Sequence, residues 1–147
     1  MLSALHHVGF LVRDIPASAG DFVGRLGYRV DSEIIEDPTQ TAFVQFLRQP
    51  GANHWLELIM PNSPLSKLCG ALKNGGGLHH LCYEVEDLDS ACAQMRGLSM
   101  LMVARPVPAV AFPGRRIAWF MDRCNLLLEV LESGTGPLSL SDLATSP

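Results

Sequence analysis

The sequence of 147 residues predicts an α+β fold made of two tandem modules, each with the element order βαβββ. The first observation is an internal repeat. Residues 5–14 (LHHVGFLVRD) recur at residues 78–87 (LHHLCYEVED) with both histidines, the leucine, the valine and the aspartate identical. The second observation is that residues 56–58 (LEL) recur 72 residues later as residues 128–130 (LEV). Two copies with so long a period indicate a pseudo-symmetric pair of modules and not a solenoid.

The first module is placed at residues 1–62, and its first strand is the alternating segment 4–13. Asp14 is a suitable N-cap, and Pro16 suits the first turn, of a helix that Gly27 ends. Turns rich in Pro and Gly then separate three further strands, at about residues 28–36, 41–48 and 53–60.

The second module is placed at residues 77–132, after a linker at 63–76 that carries a short helix at about 64–73. Asp87 caps its helix as Asp14 caps the first. Its elements are a strand at 77–86, a helix at 88–97 and strands at 99–105, 115–121 and 125–132. The tail at 133–147 is rich in Gly, Ser, Thr and Pro and is predicted to be mobile. The modules together are treated as one domain, residues 1–147.

Composition excludes several classes of function. The net charge of −4 without a basic stripe argues against nucleic acid as a partner. No apolar run approaches the roughly 18 residues that a membrane span needs. The four cysteines have no CxxC spacing and no signal peptide precedes them, which indicates reduced thiols in a cytoplasmic protein. We therefore expect a small molecule as the partner.

Four repeat-related residues form a candidate metal site: His7, Glu57, His80 and Glu129. Each glutamate stands in the middle of an apolar strand, where an ionised carboxylate is costly unless it is paired or bound to a cation. The alternative is that each glutamate faces solvent on an edge strand. This alternative is less satisfactory because it would have to hold for two glutamates at equivalent repeat positions, each matched to a histidine. Two imidazoles and two carboxylates suit one divalent ion such as Zn, Co, Ni or Mn.

Strand alternation allows only one histidine of each adjacent pair to point inward. His6 shares its face with apolar residues that we expect to pack on the helices (Val8, Phe10 and Val12). We therefore favour His7 and His80 as the metal ligands and interpret His6 and His79 as structural.

The motifs at residues 75–85 (GGGLHHLCYEV) and 57–65 (ELIMPNSPL) resemble the vicinal oxygen chelate superfamily, most closely its methylmalonyl-CoA epimerase-like branch. The resemblance covers about residues 4–132. It implies that the two modules form an open, cup-shaped half-barrel with the helices outside, and that a homodimer is the expected state. It also implies that the second histidine of each pair binds metal, with Glu129 as the closing ligand and Glu57 in a position that takes Gln or Glu.

The function that this resemblance implies is a metal-dependent enzyme that works through an enolate-like intermediate. The leading case is an epimerase or racemase of a 2-substituted acyl thioester, such as an acyl-CoA, with Glu57 or Glu129 leaving the metal to act as the catalytic base. The alternatives are a glyoxalase I-type lactoylglutathione lyase and a non-enzymatic small-molecule binder of the same fold.

Two residues are candidates for substrate binding, Gln45 and Arg116. Some epimerase-like members carry a second catalytic Glu where this sequence has Gln45, which cannot ionise, and the repeat mate of Gln45 is Ala118. If Ala118 points into the cup, Arg116 does too by alternation and suits a substrate carboxylate or phosphate. The alternative is that Arg116 is a solvated residue at a strand start. The apolar segment 106–114 is either a flap over the cup or a dimer contact.

Overall fold

The computed structural model describes Leu2 and residues 4–143. The end of the predicted mobile tail, residues 144–147, lies outside the described residues. The chain divides into two compact units, one of Val8–His79 and one of Met1–His7 together with His80–Pro147. Two strands are shared between the units, β1 (Ala4–Leu11) and β6 (Gly77–Val85).

The unit of residues 8–79 contains the helix and strands of the first βαβββ copy. After the end of β1, its elements are α1 (Ile15–Leu26), β2 (Arg29–Val30), β3 (Ile35–Asp37), β4 (Ala42–Arg48), β5 (Trp55–Pro61) and α2 (Cys69–Lys73). Strands β2, β3 and β5 all pair antiparallel with β4. The predicted linker helix at 64–73 is confined to α2.

The strand predicted at 28–36 is interrupted between β2 and β3. The Asp31 carboxylate accepts hydrogen bonds from Arg48 Nε at 2.9 Å and Trp55 Nε1 at 3.0 Å. The Ser32 hydroxyl accepts one from the Phe46 backbone N–H at 2.9 Å. The Ser32 hydroxyl thus bonds a backbone N–H that a continuous ladder would bond to a carbonyl, and the strand breaks there.

The helix caps follow the prediction. Asp14 accepts a hydrogen bond from Ala17 N at 2.8 Å, and Gly27 ends α1 in the left-handed conformation with φ 72°. In the second copy Asp87 accepts from Ser90 N at 2.9 Å. The two N-caps are therefore equivalent by repeat, as the sequence predicts.

The other unit contains the second copy, with α3 (Leu88–Gly97), β7 (Leu101–Pro108), β8 (Arg116–Met121), β9 (Leu127–Glu132) and α4 (Leu140–Leu143). Its strand order is β6-β9-β8-β7, in which β6 pairs parallel with β9 and the other pairs are antiparallel. The α+β class is confirmed, and so is the repeated βαβββ order once β2 and β3 are counted as the one interrupted strand predicted at 28–36. Because β7 runs to Pro108, the predicted loop at 106–114 begins later.

Each unit has its own core between a helix and one face of its strands. Ile15 and Ala19 of α1 pack with Leu47 and Leu58. The corresponding core of α3 contains the buried residues Leu88, Ala91, Cys92, Met95, Val85, Ala118, Phe120, Leu128 and Val130. In each unit, the strand face away from the helix carries side chains that do not belong to these cores. In the part of the chain that the structure describes, no helix has the length and apolarity to span a bilayer.

Candidate metal centre

Three donor atoms from three strands of one unit meet at a single point. His7 Nε2 lies 3.0 Å from His80 Nε2. The Glu129 carboxylate oxygen Oε2 lies 3.3 Å from His7 Nε2 and 3.1 Å from His80 Nε2. All three side chains are buried. Of the four predicted ligands, the structure therefore brings His7, His80 and Glu129 together within one unit.

Strand register explains why these side chains share a face. Glu129 on β9 is paired with Cys82 on β6 and with Trp119 on β8, and paired residues point to the same side of a sheet. His80 precedes Cys82 by two residues and so points the same way. The residues of the opposite face, among them Val130 and Ala118, pack on α3. This unit thus presents His80, Cys82, Trp119 and Glu129 on the face away from its helix.

The spacing of the three donors fits a metal ion. Nitrogen and oxygen ligands about 2.0–2.1 Å from one metal lie about 3.0–3.4 Å from each other. The observed separations of 3.0, 3.1 and 3.3 Å fall in this range. Two imidazole nitrogens and one carboxylate oxygen also match the ligand types that zinc and related divalent ions prefer.

Sequence reasoning missed a second group of donors in the same unit. Potential ligand atoms of His6, His7 and Cys82 lie within 4.8 Å of one another, and all three residues are buried. The sequence does contain one indication of this group: Cys82 occupies the repeat position that Gly9 occupies in the first copy. Because His7 Nε2 meets His80 and Glu129, we interpret His6 and Cys82 as neighbours of the candidate site and not as its ligands.

Electrostatics favour an anionic Glu129. Burial by itself raises the pKa of this carboxyl, but hydrogen bonds and charge from His7 and His80 outweigh burial and hold the pKa well below its usual value. Glu129 is therefore ionised at neutral pH. Burial, reinforced by the charge of His7, lowers the pKa of His6 to about 3, so His6 is neutral.

His6 is in direct contact with the candidate ligand His7. Its Nδ1 lies 2.8 Å from His7 Nδ1, and its Nε2 lies 2.7 Å from the carbonyl oxygen of Leu138. The sequence predicts a structural role for His6 on a helix-packing face. The structure instead places its ring between His7 and the segment that follows β9.

Aromatic rings surround the imidazoles. Phe112 contacts His6 edge-on, with ring centroids 5.1 Å apart, and stacks on His7 at 5.9 Å. Trp119 contacts His80 edge-on at 4.8 Å. Phe112 belongs to the apolar segment 106–114, so part of that segment covers the histidine pair of its own unit. Whether the segment also moves as a flap or contacts a second subunit stays a prediction.

Arg115 supports this aromatic wall. Its guanidinium lies 5.3 Å from the centre of the Phe112 ring, and its Nη2 donates to Glu84 Oε2 at 3.0 Å. Its Nε also donates to the backbone carbonyl of Glu132 at 2.6 Å. The side chain is buried. Arg115 therefore joins the covering segment to two neighbouring strands.

Arg116 lies on the α3 side of the same strands. It donates to Glu132 Oε1 at 2.8 Å and to Asp89 Oδ2 on α3 at 3.1 Å, and these hydrogen bonds raise its pKa. Ala118, whose direction the prediction for Arg116 depends on, packs in the α3 core. The structure does not bring Arg116 to the three donors, and its role in substrate binding stays a prediction.

Gln45 and Glu57 lie on opposite faces of the β4–β5 pair. Gln45 is paired with Leu58, which packs on α1, and its Nε2 donates to the carbonyl of Ser32 at 3.2 Å. Glu57 is paired with Phe46 and is buried on the face away from α1. The pair of Glu57 and Phe46 thus repeats the pair of Glu129 and Trp119. The predicted roles of Gln45 and Glu57 are not tested by these contacts.

Residues 6–119 match the family described as the glyoxalase/bleomycin resistance protein/dioxygenase superfamily. An ethylmalonyl-CoA/methylmalonyl-CoA epimerase of Cereibacter sphaeroides is 29% identical over 119 residues, which are 80% of this chain and 87% of that protein. The mitochondrial methylmalonyl-CoA epimerase of Homo sapiens is 31% identical over 97 residues, 65% of this chain and 53% of its own length.

Solved structures share the fold. The methylmalonyl-CoA epimerase from Mycobacterium tuberculosis superimposes with a TM-score of 0.81 at 24% identity, covering 99% of this chain and 93% of that one. A methylmalonyl-CoA epimerase in complex with methylmalonyl-CoA and NH4+ superimposes with a TM-score of 0.79 at 23% identity, covering 92% and 97%. At these identities the likeness concerns the fold.

Proposed function

Because the chain belongs to the glyoxalase/bleomycin resistance protein/dioxygenase superfamily, we propose that it is an acyl-CoA epimerase whose reaction requires a divalent metal ion. The observation that carries the metal is the convergence of His7 Nε2, His80 Nε2 and Glu129 Oε2 within 3.3 Å of one another. The observation that favours the reaction is the similarity to an ethylmalonyl-CoA/methylmalonyl-CoA epimerase along 80% of the chain.

We assign His7, His80 and Glu129 as metal ligands and propose Glu57 as the fourth. Glu57 is the repeat mate of Glu129, is equally buried, and stands opposite an aromatic residue as Glu129 does. The ion would be Zn, Co, Ni or Mn, because nitrogen and carboxylate donors suit all four. When bound, it would supply a Lewis acid that lowers the cost of enolate formation at the thioester.

The chain itself must move the α-proton. Epimerisation needs a proton to leave one face of the α-carbon and a proton to be added to the opposite face, so of the two carboxylates assigned to the site, Glu57 and Glu129, one would accept the α-proton and the other, in its protonated form, would donate to the opposite face. Gln45 cannot do so because its amide does not titrate. Phe112 and Trp119 cover the imidazoles, which keeps bulk water from competing for the proton.

The proposed substrate is a 2-substituted malonyl thioester of coenzyme A. Its α-carbon lies between two carbonyl groups, so loss of the proton gives a delocalised enolate. Gln45 and Arg116 remain proposed substrate contacts. A homodimer remains the predicted state.

The test is exchange of the α-proton of methylmalonyl-CoA and ethylmalonyl-CoA in heavy water, followed by NMR or mass spectrometry. We expect exchange that stops when a chelator removes the metal and returns when Zn2+, Co2+, Ni2+ or Mn2+ is added. The adduct of methylglyoxal and glutathione serves as the comparison substrate. Turnover of that adduct without exchange of either thioester would replace the epimerase with the lyase.

A further inference from the structure

His6 has two polar contacts that together constrain where the hydrogens lie. One ring nitrogen, Nε2, faces the Leu138 carbonyl oxygen at 2.7 Å, and the other, Nδ1, faces His7 Nδ1 at 2.8 Å. A carbonyl oxygen only accepts hydrogen bonds, so His6 Nε2 must carry a hydrogen and donate it.

The contact between the two Nδ1 atoms needs one hydrogen between them. If both atoms were bare, two lone pairs would face each other at 2.8 Å. If the hydrogen were on His6, both nitrogens of that ring would be protonated, and a charged ring would be fully buried. With the hydrogen on His7 Nδ1, His6 is neutral and both contacts are hydrogen bonds.

We propose that His6 is a positioning residue that connects the Leu138 carbonyl to His7 through two hydrogen bonds, an arrangement that we call the relay. It holds a hydrogen on His7 Nδ1 and so leaves His7 Nε2 as the nitrogen for the metal. This inference rests on the proposed metal site. Glu129 Oε2 faces His7 Nε2 at 3.3 Å and His80 Nε2 at 3.1 Å. Without metal, His80 Nε2 can donate to this carboxylate, so His7 stays neutral with its one hydrogen on Nδ1.

The segment that supplies the carbonyl is fixed by several contacts of its own. Leu138 has a φ of 61°, a left-handed conformation that is uncommon for a residue with a side chain. Its carbonyl also accepts from Arg115 Nη1 at 3.4 Å, and the buried Ser139 hydroxyl donates to the Gly134 carbonyl at 2.6 Å. An unfavourable backbone conformation held by neighbouring bonds is typical of a position with a function.

The ring hydrogens can be measured directly on the whole protein labelled with 15N-histidine, with metal removed by a chelator. We expect the spectra to place a hydrogen on His7 Nδ1 and to show scalar coupling between the two Nδ1 atoms across the hydrogen bond. A His7 ring with a bare Nδ1 and a hydrogen only on Nε2 would overturn the inference, whatever the metal affinity.

Zn2+ affinity of three variants, measured by calorimetry, tests the consequence. His6→Phe keeps a ring against Phe112 but removes the acceptor, so we expect binding about 10–100-fold weaker. His6→Asn keeps an acceptor near the Nδ1 position and should recover most of the loss. His79→Phe changes the corresponding histidine of the second pair. Its Zn2+ affinity should stay within about twofold of the parent, far less than the loss expected when a residue that orients a metal ligand is removed.

The outcomes separate the two proposals. Parent-like Zn2+ affinity in His6→Phe, or equal losses in His6→Phe and His79→Phe, would overturn the positioning role. If His7 Nδ1 carries the hydrogen but no protein in the series binds Zn2+, the relay is confirmed and the proposed metal site is wrong. If His6→Phe does not fold, the labelled parent and His6→Asn still decide the case.

Discussion

Glu129 Oε2 lies 3.1 Å from His80 Nε2, in a buried contact between a carboxylate on β9 and an imidazole on β6. The two residues are 49 positions apart in the chain. Parallel pairing of β6 with β9 places them on one face, because Glu129 is in register with Cys82, two residues after His80. The predicted metal chemistry depends on this contact.

Replacement of the two glutamates by glutamine should have different effects. Glu129→Gln removes the anionic oxygen that both imidazoles face. Loss of a residue that only hydrogen-bonds a metal ligand lowers metal affinity by about 10–100-fold, so for loss of a ligand we expect Zn2+ affinity to fall by about 100-fold or more. Glu57→Gln keeps an oxygen ligand, and we expect metal to be retained while proton exchange falls by about 10²–10⁴-fold, the usual share of a general base. Metal content and exchange rate measured on the same preparations distinguish the two roles.

Metal should stabilise the folded protein by mass action. At a free Zn2+ concentration 100 times the dissociation constant, the free energy of unfolding should rise by about 2.7 kcal/mol. Thermal unfolding with and without a chelator measures the difference, and Glu129→Gln should show little of it at the same Zn2+ concentration. An unchanged midpoint in the parent would contradict the metal site.

Phe112→Ala should destabilise the unit that contains the three donors. The ring is buried and contacts both His6 and His7, so its removal should cost about 3–5 kcal/mol and weaken Zn2+ binding. Val110→Ala, in the same segment but at an exposed position, is the matched control and should cost less than about 0.5 kcal/mol. Chemical denaturation of the metal-free proteins measures both.

Acid should weaken the ion pair of Glu132 and Arg116. The hydrogen bond from Arg116 lowers the pKa of Glu132 in the folded protein. Its contribution to stability is therefore complete above the unfolded pKa of about 4.3 and is lost as the pH falls below that value. Because the pair is partly exposed, we expect the contribution to be small and to be screened by salt.

The measurement is the free energy of unfolding between pH 3 and 7 for the parent, Glu132→Gln and the exposed-site control Glu86→Gln. Only Glu132→Gln should show a flatter decline at acid pH. An identical decline in all three would mean that the pair does not contribute.

The KM of Arg116→Gln for the acyl-CoA decides separately whether Arg116 contacts substrate.

Gly134→Val should disturb the segment that holds the Leu138 carbonyl. A Cβ atom at position 134 would lie 3.0 Å from Arg115 Cγ, so either the Arg115 side chain or the segment must move by a few tenths of an ångström, and the bonds that hold Arg115 favour movement of the segment. We expect weaker Zn2+ binding than in the parent but a smaller loss than in His6→Phe. Thr135→Val, at an exposed neighbouring position, should bind as the parent does. Equal binding by Gly134→Val and the parent would separate this segment from the metal site.

Local signals in the sequence were sufficient for the order of elements. Asp14 and Asp87 predicted both helix starts because N-capping depends on residues a few positions apart. The repeat of a His pair and a lone Glu selected His7, His80 and Glu129, because alternation fixes which side chains share a strand face. These features need only the short-range periods of helices and strands.

The remaining features depend on contacts that the sequence does not contain. The residue that pairs with Glu57 is Phe46 and not its neighbour Gln45. Because neighbouring residues of a strand point to opposite faces of the sheet, Gln45 lies on the face away from Glu57. The bond between His6 and Leu138 joins residues 132 positions apart, and no local pattern indicates it. The break between β2 and β3 likewise involves a bond from the Phe46 N–H of β4 to the Ser32 hydroxyl, which lies 14 positions earlier in the chain.

The unit with the three donors combines two separated stretches of the sequence, because the stretch that ends at His7 groups with the one that begins at His80. During synthesis the Leu138 carbonyl is made 132 residues after His6. The contiguous Val8–His79 unit can begin to fold in that interval, but His7 has to wait for its partners. The contact between His6 and the Leu138 carbonyl is thus formed late in biogenesis, and nascent chains that stop before residue 138 should lack it.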